Sequence, residues 1–172
     1  DITEHPTREG KVYCAVVLDT CSRKVVGWSI DAAQTATLVT NALNIATEMV
    51  LRPYIRTVIL GGVALPGAYE VTGPLATLVL QELWLDMLVL GVDGFSPEGG
   101  ASCRDESEAG VNAMMVRRAQ RVVVVAGSAK LGKRAFARIC DAGDVQVVVT
   151  DNDADPAVVS DLKAIGIEVI LV

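Results

Sequence analysis

Histidine is almost absent from this sequence, and cysteine is sparse. The 172 residues include one histidine, His5, and four cysteines that show no C-x-x-C spacing. Zinc sites and disulfide frameworks require clustered or regularly spaced His and Cys residues. We therefore expect ordinary free thiols, no metal site and no cofactor.

Positive charge is also scarce. The chain has 15 Lys and Arg residues against 21 Asp and Glu residues, a formal net charge of -6. Proteins that bind DNA or RNA use clustered Lys and Arg side chains, which release counterions from the phosphates. We therefore expect no direct nucleic-acid binding by this chain.

Long apolar runs are missing, although 51% of the residues are hydrophobic. The apolar runs are broken by Gly, Asp or Asn, and none reaches the ~18 residues that a membrane span needs. The first eleven residues are polar and include Pro6 and Gly10, unlike a secretory signal segment. We expect a cytoplasmic protein without a membrane partner, in which the apolar residues form the core of one compact unit.

From residue 36 onward, β-branched runs alternate with amphipathic stretches. This alternation is typical of the α/β class, with a mostly parallel open sheet and helices on both faces. The predicted strands are Thr37–Thr40, Thr57–Leu60, Met87–Val92, Val122–Ala126, Val145–Thr150 and Glu168–Val172. The first two predicted helices are Asn41–Leu51, with Leu43, Ala46 and Val50 inward, and Gly73–Trp84. The third, Asp105–Gln120, begins with Asp105 and Glu108 in an arrangement like a capping box. The last is capped by Asp155, has Val158, Leu162 and Ile165 inward, and ends at Gly166.

The first 35 residues follow a different pattern. Val12–Asp19 and Lys24–Ile30 are predicted strands on either side of a polar turn, which indicates an antiparallel β-hairpin. The change near residues 31–35 divides the chain into a hairpin region, 1–35, and an α/β region, 36–172.

Polar residues follow several of the predicted parallel strands. In an open parallel sheet, ligands bind beyond the carboxyl ends of the strands. Glycines there allow close backbone approach, Asn and Asp bind hydroxyls, and a lysine binds phosphate. This pattern predicts a site for a small polyol phosphate, whose candidate effector-binding residues are Thr40, Asn41, Gly61, Gly62, Asp93 and Lys130. For Asp151, Asn152 and Asp153 we favour a role as turn formers.

Several segments of the α/β region resemble, in order and spacing, the sensor domain of DeoR-type repressors. They are residues 38–46, 58–75, 90–99, 106–109, 122–130 and 135–139. The resemblance implies a fold similar to ribose-phosphate isomerases, a pocket for a phosphorylated sugar or related metabolite, and release of operator DNA when that metabolite accumulates. It adds Glu106 to the candidate effector-binding residues and implies a homo-oligomer.

Two departures from the family pattern are visible. We expect this chain to lack the family's winged helix-turn-helix and the first sensor strand, whose Asp-x-Gly-Ser/Thr-Thr loop helps to hold phosphate. In addition, Gly127 stands where the family usually has an aspartate, so a ligand contact is lost on the retained side of the pocket.

Residues 1–13 and 15–30 resemble the integrase core of DDE insertion-sequence transposases. Asp1 would be that family's first catalytic carboxylate. Strand transfer needs three carboxylates around paired magnesium ions, so we expect residues 1–35 to be an inactive remnant, joined to the sensor domain near Leu38–Leu43. Val12–Asp19 is our candidate to occupy the place of the missing first sensor strand.

The main functional hypothesis is therefore an effector-sensing domain without its DNA-binding head, and not an enzyme. One alternative is an inactive product of gene fusion. The other is a sugar-phosphate isomerase-like enzyme, in which Asp93 and Glu106 would act as acid and base.

Overall fold

The computed structural model describes the backbone of residues 2–7, 10–18, 25–31, 36–65 and 67–172, and the side chains of residues 37–65 and 67–172. In chain order its elements are β1 (Ile2–Thr7), β2 (Gly10–Leu18), β3 (Val25–Asp31), β4 (Ala36–Thr40), α1 (Leu43–Val50), β5 (Ile55–Ile59), β6 (Val63–Leu65), β7 (Glu70–Thr72), α2 (Pro74–Gln81), β8 (Leu85–Gly91), β9 (Gly94–Ser96), β10 (Gly100–Cys103), α3 (Glu106–Arg118), β11 (Ala119–Val125), β12 (Ala137–Cys140), β13 (Val147–Thr150), α4 (Pro156–Ala164) and β14 (Glu168–Leu171).

The first three strands form an antiparallel sheet of their own, in the order β1-β2-β3. Pairing of β2 with β3 confirms the predicted hairpin, and β1 adds a strand before it. The prediction that Val12–Asp19 occupies the place of the missing sensor strand is wrong, because both edges of β2 are already hydrogen-bonded to β1 and β3. The predicted polar turn and the seam at residues 32–35 lie outside the described residues.

The six predicted parallel strands are all present among the described residues, but they form two sheets. β4 pairs in parallel with β5, and β8, β11, β13 and β14 form a parallel sheet in the order β14-β13-β11-β8. In that second sheet Val124 lies opposite Leu90 of β8 and Val148 of β13. No strand pairing among the described residues joins β4 to β8.

The break between the two sheets falls at a recognisable position. The doubly wound order 3-2-1-4-5-6 places the first strand at the centre of the sheet. β5 and β4 fit the third and second positions of that order, and β8, β11 and β13 fit the positions on the other side. In that order, the unpaired edges of β4 and β8 correspond to the two sides of a central first strand.

Apolar packing, rather than strand pairing, joins the two parallel sheets. One cluster of buried side chains contains Leu60 after β5, Leu80 of α2, Leu90 of β8 and Leu162 of α4. Burial of apolar surface is the main favourable term in folding and needs no continuous ladder. The core therefore continues across the break.

The helix boundaries partly follow the sequence signals. Asp105 accepts hydrogen bonds from the backbone N–H groups of Ser107 and Glu108, and Asp155 accepts one from Ala157, so both predicted N-caps are confirmed. Val50 and Ile165, which we expected to face inward, are exposed. Val50 is the last residue of α1 and Ile165 follows α4, so no further helical turn holds either in the apolar stripe.

Five short antiparallel strands were not predicted. β6 pairs with β7, and β9, β10 and β12 form a three-stranded sheet in the order β12-β10-β9. Each has only three or four residues, too few for an alternating pattern to be visible. In the part of the chain that the structure describes, no helix is long and apolar enough to cross a membrane.

Candidate functional site

Asn41, directly after β4, is held beside the β6–β7 hairpin. Its carbonyl oxygen accepts a hydrogen bond of 2.9 Å from the backbone N–H of Val71, and the N–H of Leu43 donates to the carbonyl of Tyr69. This pairing brings Glu70 alongside, and the Asn41 Nδ2 atom donates to Glu70 Oε2 at 3.3 Å. The site therefore contains a carboxylate that the strand-end pattern did not predict.

Asp93, just beyond β8, lies between two cations. Lys130 Nζ is 3.6 Å from Asp93 Oδ1, and Arg104 Nε is 3.8 Å from the same oxygen. Lys130 Nζ also donates to the carbonyl oxygen of Val92 at 2.7 Å. Because the Asp93 side chain is 25% exposed, this charged group is open to solvent and to a ligand.

Lys130 ends a short 3-10 turn, Ser128–Lys130, that is tied to the loop after β13. The backbone N–H of Ser128 donates to Asp151 Oδ2 at 2.8 Å, and this bond holds the pKa of Asp151 below its usual value. A Cβ atom added to Gly127 would lie 3.5 Å from the same Asp151 oxygen. A carboxylate therefore stands beside the position where the family usually has an aspartate.

Asp151 also forms the turn that we expected from the sequence, because its Oδ1 atom accepts a hydrogen bond from the N–H of Asp153. Its link to Ser128 joins residues 23 positions apart and was not predicted.

Glu108, in the first turn of α3, contributes a second half-buried carboxylate. Asn112 Nδ2 donates to Glu108 Oε1 at 3.3 Å. Burial, together with the negative charges of Glu70 and Asp93, raises the pKa of Glu108 to about 7. Burial also raises the pKa of Glu70, where Asp93 again contributes and the Asn41 hydrogen bond opposes the shift. The negative charges of Glu70 and Asp93 therefore oppose ionisation of Glu108.

Glu106 was the predicted acidic residue of α3. In the structure it is exposed in the first turn of that helix and takes no part in the interactions of Glu108. Glu108 could have been found from helical periodicity, since it precedes the buried Val111 and Met115 by three and seven residues. For Glu70 the sequence offered no signal, because β7 was not predicted.

Two other predicted residues, Thr40 and Gly62, have structural roles, and Gly61 is exposed without one. The Thr40 hydroxyl oxygen accepts a hydrogen bond of 3.0 Å from the N–H of Ala42, within the turn that begins α1. Gly61 and Gly62 are exposed, and Gly62 has a φ of 144° with no room for a side chain, because an added Cβ would overlap the carbonyl oxygen of Thr72. Of the predicted set, the structure pairs Asp93 with Lys130 at 3.6 Å, whereas the side chain of Asn41 contacts Glu70.

The arrangement can bind a polar ligand. Carboxylate oxygens accept hydrogen bonds from hydroxyls, amide groups both donate and accept, and Lys130 and Arg104 supply positive charge. Among the described side chains, no group of three or more His, Cys, Asp or Glu residues is placed to hold a metal ion.

The raised pKa of Glu108 predicts a pH dependence of stability. Between its ordinary pKa of 4.5 and about 7, folded protein keeps a proton that the unfolded chain releases. The free energy of unfolding that this group contributes is therefore lost as pH rises through that window. We expect Glu108→Gln to reduce the loss, measured by urea unfolding from about pH 5 to about pH 8. Glu106→Gln is the control on the same helical turn, and an equal pH profile for both variants would contradict the assignment.

Comparison with known proteins gives the family. A family model described as the DeoR C terminal sensor domain matches residues 14–152. The uncharacterized HTH-type transcriptional regulator YulB of Bacillus subtilis (strain 168) is 31% identical over 127 residues, which cover 74% of this chain and 49% of that protein. The L-fucose operon activator of Haemophilus influenzae is 24% identical over 115 residues, which cover 67% of this chain and 46% of that protein.

A shorter similarity is to a different class of protein. The transposase InsF for insertion sequence IS3fB of Escherichia coli (strain K12) is 46% identical over 54 residues, which cover 31% of this chain and 19% of that protein. This match agrees with the transposase fragment inferred from the sequence. The chain spans about half the length of the curated regulators that it matches. Because the family model covers most of the chain, this protein belongs to the DeoR family and carries its C-terminal sensor domain, the effector-sensing part of a transcriptional regulator.

Proposed function

We propose that residues 36–172 bind a phosphorylated sugar or a related small metabolite at the rim formed by Asn41, Glu70, Asp93, Glu108 and Lys130. The observation that carries the proposal is the position of Lys130, whose Nζ lies 2.7 Å from the Val92 carbonyl and 3.6 Å from Asp93. In this arrangement Lys130 provides a charge for phosphate, and the carboxylates and amides provide partners for sugar hydroxyls.

The ion pairs at Asp93 are loose enough to admit a ligand. Their distances of 3.6 and 3.8 Å exceed the roughly 2.7–2.9 Å of a strong charge-assisted hydrogen bond. The Lys130 side chain is 45% exposed, and its ammonium group has further N–H donors beyond the one on Val92. A phosphate oxygen can therefore bind Lys130 without breaking the bond that holds it in place.

The relatives support a sugar as the ligand class. One of them is named an L-fucose operon activator, and the family model describes a sensor domain. We also propose a homo-oligomer and a cytoplasmic location, which agree with relatives that are transcriptional regulators.

A division into a transposase-derived region, 1–35, and a sensor region, 36–172, is part of the same proposal. The separate β1-β2-β3 sheet and the partial match to a transposase support it. An inactive fusion product is the second candidate, favoured by the break between β4 and β8. Ligand binding distinguishes the two.

We propose binding without turnover. The isomerase alternative needs Asp93 and Glu106 to act on one substrate. Glu106 is exposed at the start of α3, whereas Asp93 interacts with Arg104, Lys130 and the half-buried Glu108. An isomerase assay with pentose and hexosamine phosphates is expected to show no product.

A thermal-shift titration tests the binding proposal directly. We expect at least one pentose, hexose or hexosamine phosphate to raise the melting temperature, because a ligand at about 100 times its Kd stabilises the native state by ~2.7 kcal/mol. The matched control is the parent sugar without phosphate, for which a much smaller shift is expected. Absence of a shift with every sugar phosphate would favour the inactive fusion product.

A further inference from the structure

A cavity of about 560 Å³ lies at the amino ends of the parallel strands β11 and β13. Its walls are the carboxyl-terminal half of α3, the start of β11, strand β12 and the 3-10 turn Ala142–Asp144. Asp93 and Lys130 of the proposed effector site follow the carboxyl ends of β8 and β11. The cavity and that site are therefore separated by the length of β11, roughly 20 Å.

The buried part of the cavity lining is apolar. Val122 and Ile139 are 2% and 6% exposed, and Val116 of α3 is 8% exposed. Small-molecule sites typically have volumes of about 300–1,000 Å³ and combine apolar side chains with a small number of polar groups. The cavity has that size, and its floor can take an apolar part of a ligand out of water.

The polar side chains of the lining hold one another in place. Arg138 Nη2 lies 2.9 Å from Asp141 Oδ2, and the backbone N–H of Asp141 donates to Asp144 Oδ2 at 3.0 Å. Gln146 Oε1 accepts a hydrogen bond of 2.7 Å from the N–H of Val122. Because side chains that are already ordered lose less entropy when a ligand binds, the cavity is preorganised for binding.

Two opposite charges of the lining remain available to a ligand. Arg117 is exposed near the end of α3 and forms no hydrogen bond or ion pair within the part of the chain that the structure describes. Asp144 receives the Asp141 N–H on one carboxylate oxygen, and its second oxygen is a further acceptor. The charge of Arg138, in contrast, is already balanced by Asp141. The cavity therefore offers one guanidinium and one carboxylate above an apolar floor.

These features select the class of ligand. A guanidinium binds a carboxylate through paired N–H donors, and a carboxylate binds an ammonium group. A sugar phosphate carries only negative charge and lacks an apolar part, so it matches neither Asp144 nor the floor. A zwitterion with an apolar side chain matches all three.

From this arrangement we propose that the cavity is a second ligand site, which binds a free α-amino acid with an apolar side chain. The amino-acid carboxylate contacts Arg117, its ammonium group contacts Asp144, and its side chain packs on Val122 and Ile139. The inference does not depend on the sugar-phosphate site, because the two sites share no residue.

Calorimetric titration of the full chain with L-leucine, L-methionine and L-phenylalanine tests the proposal. We expect at least one of them to bind. Two analogues of that amino acid serve as matched ligands, the amide without the carboxylate and the acid without the ammonium group. Each lacks one charge-assisted hydrogen bond, so each should bind about 10-fold more weakly or worse.

Variants locate the binding. Arg117→Gln should weaken it about 10-fold or more, whereas Arg52→Gln, which removes the same charge from an exposed position after α1, should bind like the wild type. Asp144→Asn keeps an oxygen for the Asp141 N–H, so it should weaken binding of the amino acid and leave that of the acid without the ammonium group unchanged. Lys130→Met should not affect either ligand.

Four results would overturn the proposal. Absence of binding by all three amino acids is the first, and equal binding of the amino acid and its two analogues is the second. The third is equal affinity of the Arg117→Gln and Arg52→Gln variants. The fourth is loss of amino-acid binding in Lys130→Met, since the ligand would then occupy the other end of the sheet.

Discussion

Replacement of Lys130 by methionine is expected to reduce strongly the thermal stabilisation by a sugar phosphate. Methionine keeps a long apolar side chain but removes the ammonium group that lies between the Val92 carbonyl and Asp93. Hydrogen bonds to a charged group are worth about 1.5–3 kcal/mol, so the ligand affinity should fall about 10- to 150-fold. The measurement is the Kd of the most effective sugar phosphate, by calorimetry and by thermal shift.

Lys163→Met is the matched control for this prediction. Lys163 is exposed in the last turn of α4, which leads to the amino end of β14. Its replacement removes the same charge away from the carboxyl ends of the strands, where the proposed site lies. We expect its affinity for the sugar phosphate to equal that of the wild type. If both lysine variants bind equally well, the phosphate does not contact Lys130.

The largest expected effect on stability is that of Gly100→Ala. Gly100 has a φ of 65°, the left-handed region that residues with a side chain avoid, and an added Cβ would overlap the carbonyl oxygen of Cys140. The backbone cost of about 1–2 kcal/mol and the steric cost of about 1–3 kcal/mol together predict a loss of roughly 3 kcal/mol. Urea unfolding measures it as a lower midpoint.

Gly110→Ala makes the same change where the structure has room for it. Gly110 lies in α3, exposed, with no atom within 4 Å of an added Cβ. Alanine is favoured over glycine in a helix by about 1 kcal/mol, so this variant should be more stable than the wild type. A stable Gly100→Ala variant would show that β10 and β12 do not pair as described.

Most of the secondary structure could be predicted from local sequence signals. The N-caps at Asp105 and Asp155 were predictable because their hydrogen bonds reach only two or three residues along the chain. The six parallel strands were visible as β-branched runs, because strands of parallel sheets are rich in Val, Ile and Leu. The short antiparallel strands have no comparable pattern in the sequence. Because β7 was not predicted, the position of Glu70 was not predicted either.

The sequence alone therefore determined which segments become strands and helices, and which polar residues follow β4 and β8. These features depend on neighbours in the chain. The tertiary structure decided that Asn41 meets Glu70 and that Ser128 meets Asp151, pairs separated by 29 and 23 residues. It also decided that Glu108 rather than Glu106 joins the carboxylates, and that the parallel strands form two sheets. Contacts of this range arise from packing of the whole core, and no local pattern encodes them.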